Sequence, residues 1–354
     1  MRPLPRLAAI ATAVPPYRLD QGEIVRRARK WFSQAPDFDR LLPVFANSGI
    51  GCRYAAMPLD WFEARHGWAE RNRAYLAAAL DLIEAAAGRA LDAAGIGRDA
   101  IGSIVTVSTT GIATPSLDAL LIERMGLPRT VQRLPIFGLG CAGGALGLAR
   151  AASLATAMPG KAVVFVVVEL CTLQCRRDDF SRSNIVATAL FGDGAAAAVL
   201  RCDDNAVGPA IVAAGEHIWP HSLDIMGWEV ADDGLKAIFS RDIPRLVAGG
   251  LGGAVDDFLD RNGLSRGDIG RFICHPGGPK VIDAYEAVLG LAPGALVEAR
   301  RSLAQYGNMS AASVMFVLER VLAAARDSDA TWGHALLMAL GPGFSAGFVA
   351  LAQQ

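Results

Sequence analysis

The sequence predicts an α/β protein made of two similar halves, each a sheet covered by helices on both faces. Three observations carry this. Strand-like runs at 104–109, 162–169, 195–201, 271–275 and 335–340 alternate with longer helical patterns, the alternation that buries a sheet between helices. The chain also repeats itself: LDAAGIGRDAIGSIVTV, from Leu91, matches LDRNGLSRGDIGRFICH, from Leu259, in Leu, Asp, Gly, Arg, Ile and Gly at a constant spacing. Finally, 354 residues with 52% hydrophobic content supply ample core for two domains or two halves of one. The halves are expected at 1–202 and 203–354.

Taken in order, residues 7–14 (LAAIATAV) run apolar into Pro15-Pro16 and read as a first strand, since no small-residue cleavage pattern follows. ERNRAYLAAALDLIEAAAGRALDAAG (70–95) is a helix stopped at Gly95, and a buried strand and turn follow. LPIFGLG (134–140) is a strand feeding the small-residue helix CAGGALGLARAASLA, and KAVVFVVVE and AAAAVLR complete the first half. The second half repeats the scheme: a helix ending at Gly263, the strand RFICH, the helix opened by NMSAAS, and the strand HALLMALG. The repeat aligns Gly140-Cys141 with Gly307-Asn308, so Cys141 and Asn308 are expected at equivalent helix starts that meet at one centre.

The charge balance excludes some functions. A formal charge of −1 leaves no basic excess for nucleic acid. No apolar run is long and glycine-free enough to span a bilayer. The six cysteines lack the spacing of a disulfide framework, so reduced thiols and a cytoplasmic location are expected. Metal ligation is not expected either: Pro220 separates His217 from His221, and Cys171 and Cys175 lack a second ligand pair.

What remains is chemistry around the small-residue helix. Cys141 stands where a strand turns into a helix, and unpaired N–H groups there favour a thiolate. Gly138 and Gly140 permit the sharp turn, and Gly143, Gly144 and Gly147 allow a close helix approach. His275 ends a strand before Pro276, and Asn308 precedes a helix, where it also suits an N-cap. A thiol, an imidazole and an amide together suit nucleophilic acyl transfer with stabilisation of an enolate or oxyanion.

GCAGG, ALFGDGAAA (189–197), HPGGPK (275–280), YGNMSAA (306–312) and GPG (341–343) together resemble the type III polyketide synthases, the chalcone synthase-like family, and the resemblance runs from about residue 5 to the C-terminus. It implies the duplicated thiolase fold, with layers αβαβα, a homodimer, and acyl-CoA and malonyl-CoA as substrates without a bound cofactor. Cys141 matches the family's acyl-carrying nucleophile, and His275 and Asn308 match its other two catalytic positions. Phe191 matches the aromatic gatekeeper beside the CoA tunnel, and Gly341, Pro342 and Gly343 keep the GPG loop. Lys280 is expected near the CoA entrance, as a phosphate contact or a solvated lysine.

Two departures from the family pattern bear on specificity. Ala339-Leu340 precede the GPG, and Ala237 stands where the plant enzymes carry a second gatekeeper phenylalanine. The pattern therefore resembles the bacterial branch, a resemblance that implies alkylpyrones, alkylresorcinols or naphthalene-type products. Thr110, Thr114, Cys171 and Ala237 are expected to leave an apolar tunnel for a medium- or long-chain acyl starter, giving alkylpyrones or alkylresorcinols; Phe239, Met226 and Trp228 are the side chains able to fill that space instead. Two rivals stand beside this function. One is a ketoacyl synthase III-like single condensation, whose histidine loop typically reads like HQAN. The other is a non-catalytic acyl-CoA-binding protein of the same fold.

Overall fold

A computed structural model describes residues 3–328 and 331–353. Its strands are β1 (Arg6–Ala13), β2 (Tyr17–Asp20), β3 (Cys52–Ala55), β4 (Ile101–Val107), β5 (Gln132–Ile136), β6 (Ala162–Leu170), β7 (Asp193–Arg201), β8 (Ala210–Ile218), β9 (Met226–Ala231), β10 (Gly234–Phe239), β11 (Ile269–Cys274), β12 (His334–Gly341) and β13 (Ser345–Ala352). Nine of them form one ladder in the order β11-β12-β13-β8-β1-β7-β6-β4-β5. The ladder has an internal symmetry. β6 and β12 each pair antiparallel with the strand that follows in sequence (β7, β13) and parallel with an earlier one (β4, β11). The two blocks are joined by a single residue pair, Arg6 with Ala210.

The strands read as continuous apolar runs because both faces are covered. Every residue of β4 and β6 is buried, as expected of sheets packed by helices on two sides. One face of the first block carries the helix Trp68–Ala94, ended by Gly95 in the left-handed conformation (φ 63°). The helix Gly143–Ala157 touches strands of both blocks, β4, β6 and β7 on one side and β8, β12 and β13 on the other. With Ser313–Ser328 beside it, it forms the middle layer of the αβαβα arrangement. Among the described residues no helix is long and apolar enough to cross a membrane.

The middle layer answers why glycines interrupt the first of these helices. A Cβ on Gly144 would overlap the Ala311 carbonyl oxygen and lie 2.5 Å from Val314 Cγ1, so the two central helices approach here at backbone distance. Gly147 differs from the expectation: it faces Phe165 and Val107 of its own sheet.

The repeat register needs correction by three residues. Each central helix is preceded by a single 3-10 turn, Gly140–Ala142 in one half and Ser310–Ala312 in the other. Both turns begin with a left-handed residue, Gly140 (φ 45°) and Ser310 (φ 47°). Cys141 is thus equivalent to Ala311, and Asn308 lies three residues upstream of that position. A serine in a backbone region that normally selects glycine concealed the register.

Candidate active site

Segments from both halves meet at Cys141. Its turn packs against the loop after β12: a Cβ on Gly140 would lie 2.5 Å from Pro342 Cδ, and one on Gly341 would lie 2.5 Å from the Leu139 carbonyl oxygen. Gly341, Pro342 and Gly343 therefore back the turn, and Ser222 fixes them by donating to the Gly343 carbonyl at 3.1 Å. From the other half, Ser310 Oγ lies 3.5 Å from Cys141 Sγ.

Ser310 is oriented by Asn308, whose Oδ1 accepts from the Ser310 amide at 2.8 Å, while Asn308 Nδ2 donates to the Gly277 carbonyl at 3.2 Å. The Asn308 side chain thus ties the Ser310 turn to the histidine loop and meets the first amide of the turn that begins at Ser310. Its backbone bridges to Phe191: the Asn308 amide donates to Leu190 at 2.8 Å and its carbonyl accepts from Gly192 at 3.0 Å. His275 leaves β11 with its amide bonded to Met338 of β12 at 2.9 Å, and its ring lies against Gly277. The ring is 3% exposed and neither nitrogen has a protein partner. Cys141, Ser310, Asn308, Gly277 and His275 so form one unbroken chain of contacts.

Burial controls the electrostatics. It pushes the Cys141 thiol up to about 12, against the modest lowering supplied by Ser310, and pushes the His275 imidazole down to about 3. The expected helix-start acidity is therefore outweighed: desolvation disfavours a lone thiolate and a lone imidazolium alike. Burial thus favours the uncharged form of each group taken singly.

A buried carboxyl lies nearby that the sequence did not single out. Glu169, at the end of β6, accepts from the Thr109 amide (3.0 Å) and from Thr110 Oγ1 (2.8 Å), and its other oxygen has no protein partner. Burial raises it to about 8, and its charge acts on Cys141. Thr110 is consequently a ligand of Glu169 and of the Leu170 amide, wholly buried, rather than a wall of open space. Thr114 is exposed on the surface, and Lys280 is exposed at the start of the helix Pro279–Leu289.

Phe191 also lines a pocket between the N-terminal segment and β10. Cys171 and Ala237 line it as expected, and so do Leu19, Ile24, Trp31 and Phe62 from the N-terminal segment. Around Ala237 the missing aromatic is partly replaced: Trp228 and Phe239 pack on the Phe191 ring at 5.8 and 5.6 Å. Met226 and Thr110 do not line the pocket. Among the described residues no group of His, Cys, Asp and Glu stands close enough to hold a metal.

Comparison with known proteins agrees with this architecture over the whole chain. Residues 63–204 match the N-terminal domain of chalcone and stilbene synthases, and residues 210–352 match the C-terminal domain. The chain is 42% identical to a 1,3,6,8-tetrahydroxynaphthalene synthase of Streptomyces peucetius subsp. caesius over 98% of its own length and 92% of that protein. It is 40% identical to a putative chalcone synthase of Bacillus subtilis (strain 168), over 96% of each chain. The crystal structure of the 1,3,6,8-tetrahydroxynaphthalene synthase of Streptomyces coelicolor A3(2), a bacterial type III polyketide synthase, superposes with a TM-score of 0.93 at 29% identity over 99% of both chains. That of PKS-I from the brown alga Ectocarpus siliculosus gives 0.92 at 29% identity over 100% of this chain and 99% of the other. The protein belongs to the chalcone and stilbene synthase family and is an acyltransferase, a type III polyketide synthase of thiolase fold.

Proposed function

We propose that the enzyme loads a medium- or long-chain acyl group from acyl-CoA onto Cys141 and extends it with several malonyl-CoA units, giving alkylpyrones or alkylresorcinols. The observation that carries this is the contact chain from Cys141 through Ser310, Asn308 and Gly277 to His275, next to a pocket walled by Leu19, Ile24, Trp31 and Phe62. His275 takes the Cys141 proton, and the sulfur attacks the starter thioester. The CoA thiolate leaves with that proton. Malonyl-CoA then loses CO2, and the electron pair of the broken C–C bond becomes an enolate whose oxygen is held by His275 and Asn308 Nδ2. The enolate carbon attacks the Cys141 thioester, a C–C bond forms and the thiolate is released. Decarboxylation supplies the carbanion, so no bound cofactor is required.

Phe191, Cys171 and Ala237 are the acyl-facing residues in this scheme. Gly341, Pro342 and Gly343 back the nucleophile, and Lys280 attends the CoA entrance. The duplication divides the chain at 1–202 and 203–354. A homodimer fits the edge position of β5 and the exposed Ile112 (49%) and Phe137 (60%) near it; a monomer in sedimentation velocity contradicts that part. The free thiols accord with a cytoplasmic site, to be checked by fractionation.

The test is product mass spectrometry with labelled malonyl-CoA and a panel of acyl-CoAs. Each methylene buried in the pocket contributes about 0.8 kcal/mol, so lauroyl-CoA is expected to be preferred over acetyl-CoA, and Cys171→Phe to reverse the preference. A wild type that prefers malonyl-CoA or an aromatic CoA over lauroyl-CoA overturns the starter assignment. One extension onto carrier protein, or none at all, overturns the multiple-condensation reading.

A further inference from the structure

A second cavity lies behind the acyl pocket, sharing Phe62 and Cys175 with it as a common wall. It is an open cleft lined by Trp61, Phe62, Arg65, His66, Gly67, Arg71, Arg177, Asp178 and Asp233, together with Ala64 and Cys175. Its charges do not balance. Asp178 is paired with Arg65 at 2.9 Å and Asp233 with Arg176 at 2.6 Å. Arg71 and Arg177 are left without a carboxylate partner.

Arg71 is 7% exposed. Its Nε donates to the His66 carbonyl at 2.9 Å and its Nη1 to the carbonyls of Leu173 and Cys175. Nη2 has no partner and belongs to a side chain that lines the cleft. A buried guanidinium is stable when its donors are met, and one N–H edge is left for an acceptor from outside. The same cleft holds the start of the helix Trp68–Ala94, whose N-cap Gly67 has no side chain to satisfy the first amides. A helix of this length presents positive partial charge there. Trp61 also lines the cleft, with the His66 ring stacked on it at 3.7 Å between centroids and the Arg71 guanidinium 5.9 Å from its ring centre.

We infer that this cleft binds a small organic anion, a phosphate or carboxylate on an aromatic body, with the anion between Arg71, Arg177 and the helix start and the body against Trp61. The site is separate from Cys141, and the inference does not depend on the proposed reaction.

The test uses the full-length Cys141→Ala protein saturated with CoA, titrated calorimetrically with phenyl phosphate and with inorganic phosphate. One equivalent of phenyl phosphate is expected to bind, more tightly than inorganic phosphate, and to weaken as salt is raised. Arg71 also holds three backbone carbonyls, so the informative variant is Arg177→Gln, for which no hydrogen bond or ion pair to the described residues is lost; it is expected to weaken binding about tenfold. Absence of binding, binding unchanged in Arg177→Gln, equal affinity for the two probes, or displacement of phenyl phosphate by CoA would each overturn the inference.

Discussion

Two glycines in helices give opposite responses to the same substitution. Gly88 lies within Trp68–Ala94, and a Cβ there meets nothing within 4 Å. Gly88→Ala is therefore expected to stabilise the protein by about 1 kcal/mol, the helix-propensity difference. Gly144→Ala gains the same propensity but drives a methyl into the Ala311 carbonyl oxygen and to 2.5 Å from Val314 Cγ1. Ordinary non-bonded contacts lie near 3.5–4.0 Å, so the central helices must move apart by about 1 Å. Overpacking of this kind costs roughly 1–3 kcal/mol, and a backbone obstacle places it at the upper end, for a net loss of about 2 kcal/mol. The displacement also carries Ser310 away from Cys141 Sγ, so acyl loading falls in Gly144→Ala and not in Gly88→Ala. Urea denaturation with matched m values reports the stabilities, and single-turnover acylation reports the loading. A Gly144→Ala protein as stable as Gly88→Ala, with normal loading, refutes the close approach of the two helices.

Two further predictions concern buried polar groups. Glu169 titrates near 8 in the folded chain against 4.5 when free, so the native state holds the extra proton and stability falls as pH rises between those values. His275 works the other way: lowered from 6.5 to about 3, it adds stability as pH rises from 3 to 6.5 and is silent above. Between pH 6.5 and 8 the Glu169 slope stands alone beside it and removes about 2 kcal/mol; Glu169→Gln is expected to abolish that loss in urea melts, and an unchanged slope contradicts the assignment. Asn308→Ala is expected to slow malonyl-CoA decarboxylation by the cost of one oxyanion donor, about 2.7–4 kcal/mol of barrier, and to lower starter loading much less, through the loosened Ser310 alone. His275→Ala should damage both steps, and equal loading losses in the two variants would contradict this division.

Much of the fold was legible because sheet and helix patterns differ in period and because the halves repeat. The apolar run of β6 from Ala162 to Val168 announced a strand covered on both sides. The register between the halves was harder to read. Gly307 mimics Gly140 in sequence, whereas the left-handed equivalent is Ser310, a residue type that gives no such signal. Residues carried by the motifs, Cys141, His275, Asn308 and Phe191, fall on the site or its border. The missed ones act through burial: Glu169 reads as the polar end of a strand, and only its enclosure with Thr109 and Thr110 makes it a titrating group. Thr114 was placed by its nearness to Thr110 in sequence, yet the chain turns outward in between. The pocket walls at Leu19, Ile24, Trp31 and Phe62 come from a segment remote in sequence from every motif, so no spacing rule connects them to Phe191. At Cys141 likewise, local sequence reports the helix dipole but not the desolvation that pushes the thiol up.

The central claim is that Cys141 carries the growing chain. The direct measurement is to mix the enzyme with lauroyl-CoA alone, quench, digest and locate the acyl group by mass spectrometry. The account predicts one lauroyl thioester, on the peptide containing Cys141, discharged when malonyl-CoA is added and absent from a folded Cys141→Ala protein that makes no polyketide. An acyl group on another residue, or product formation by Cys141→Ala, contradicts it.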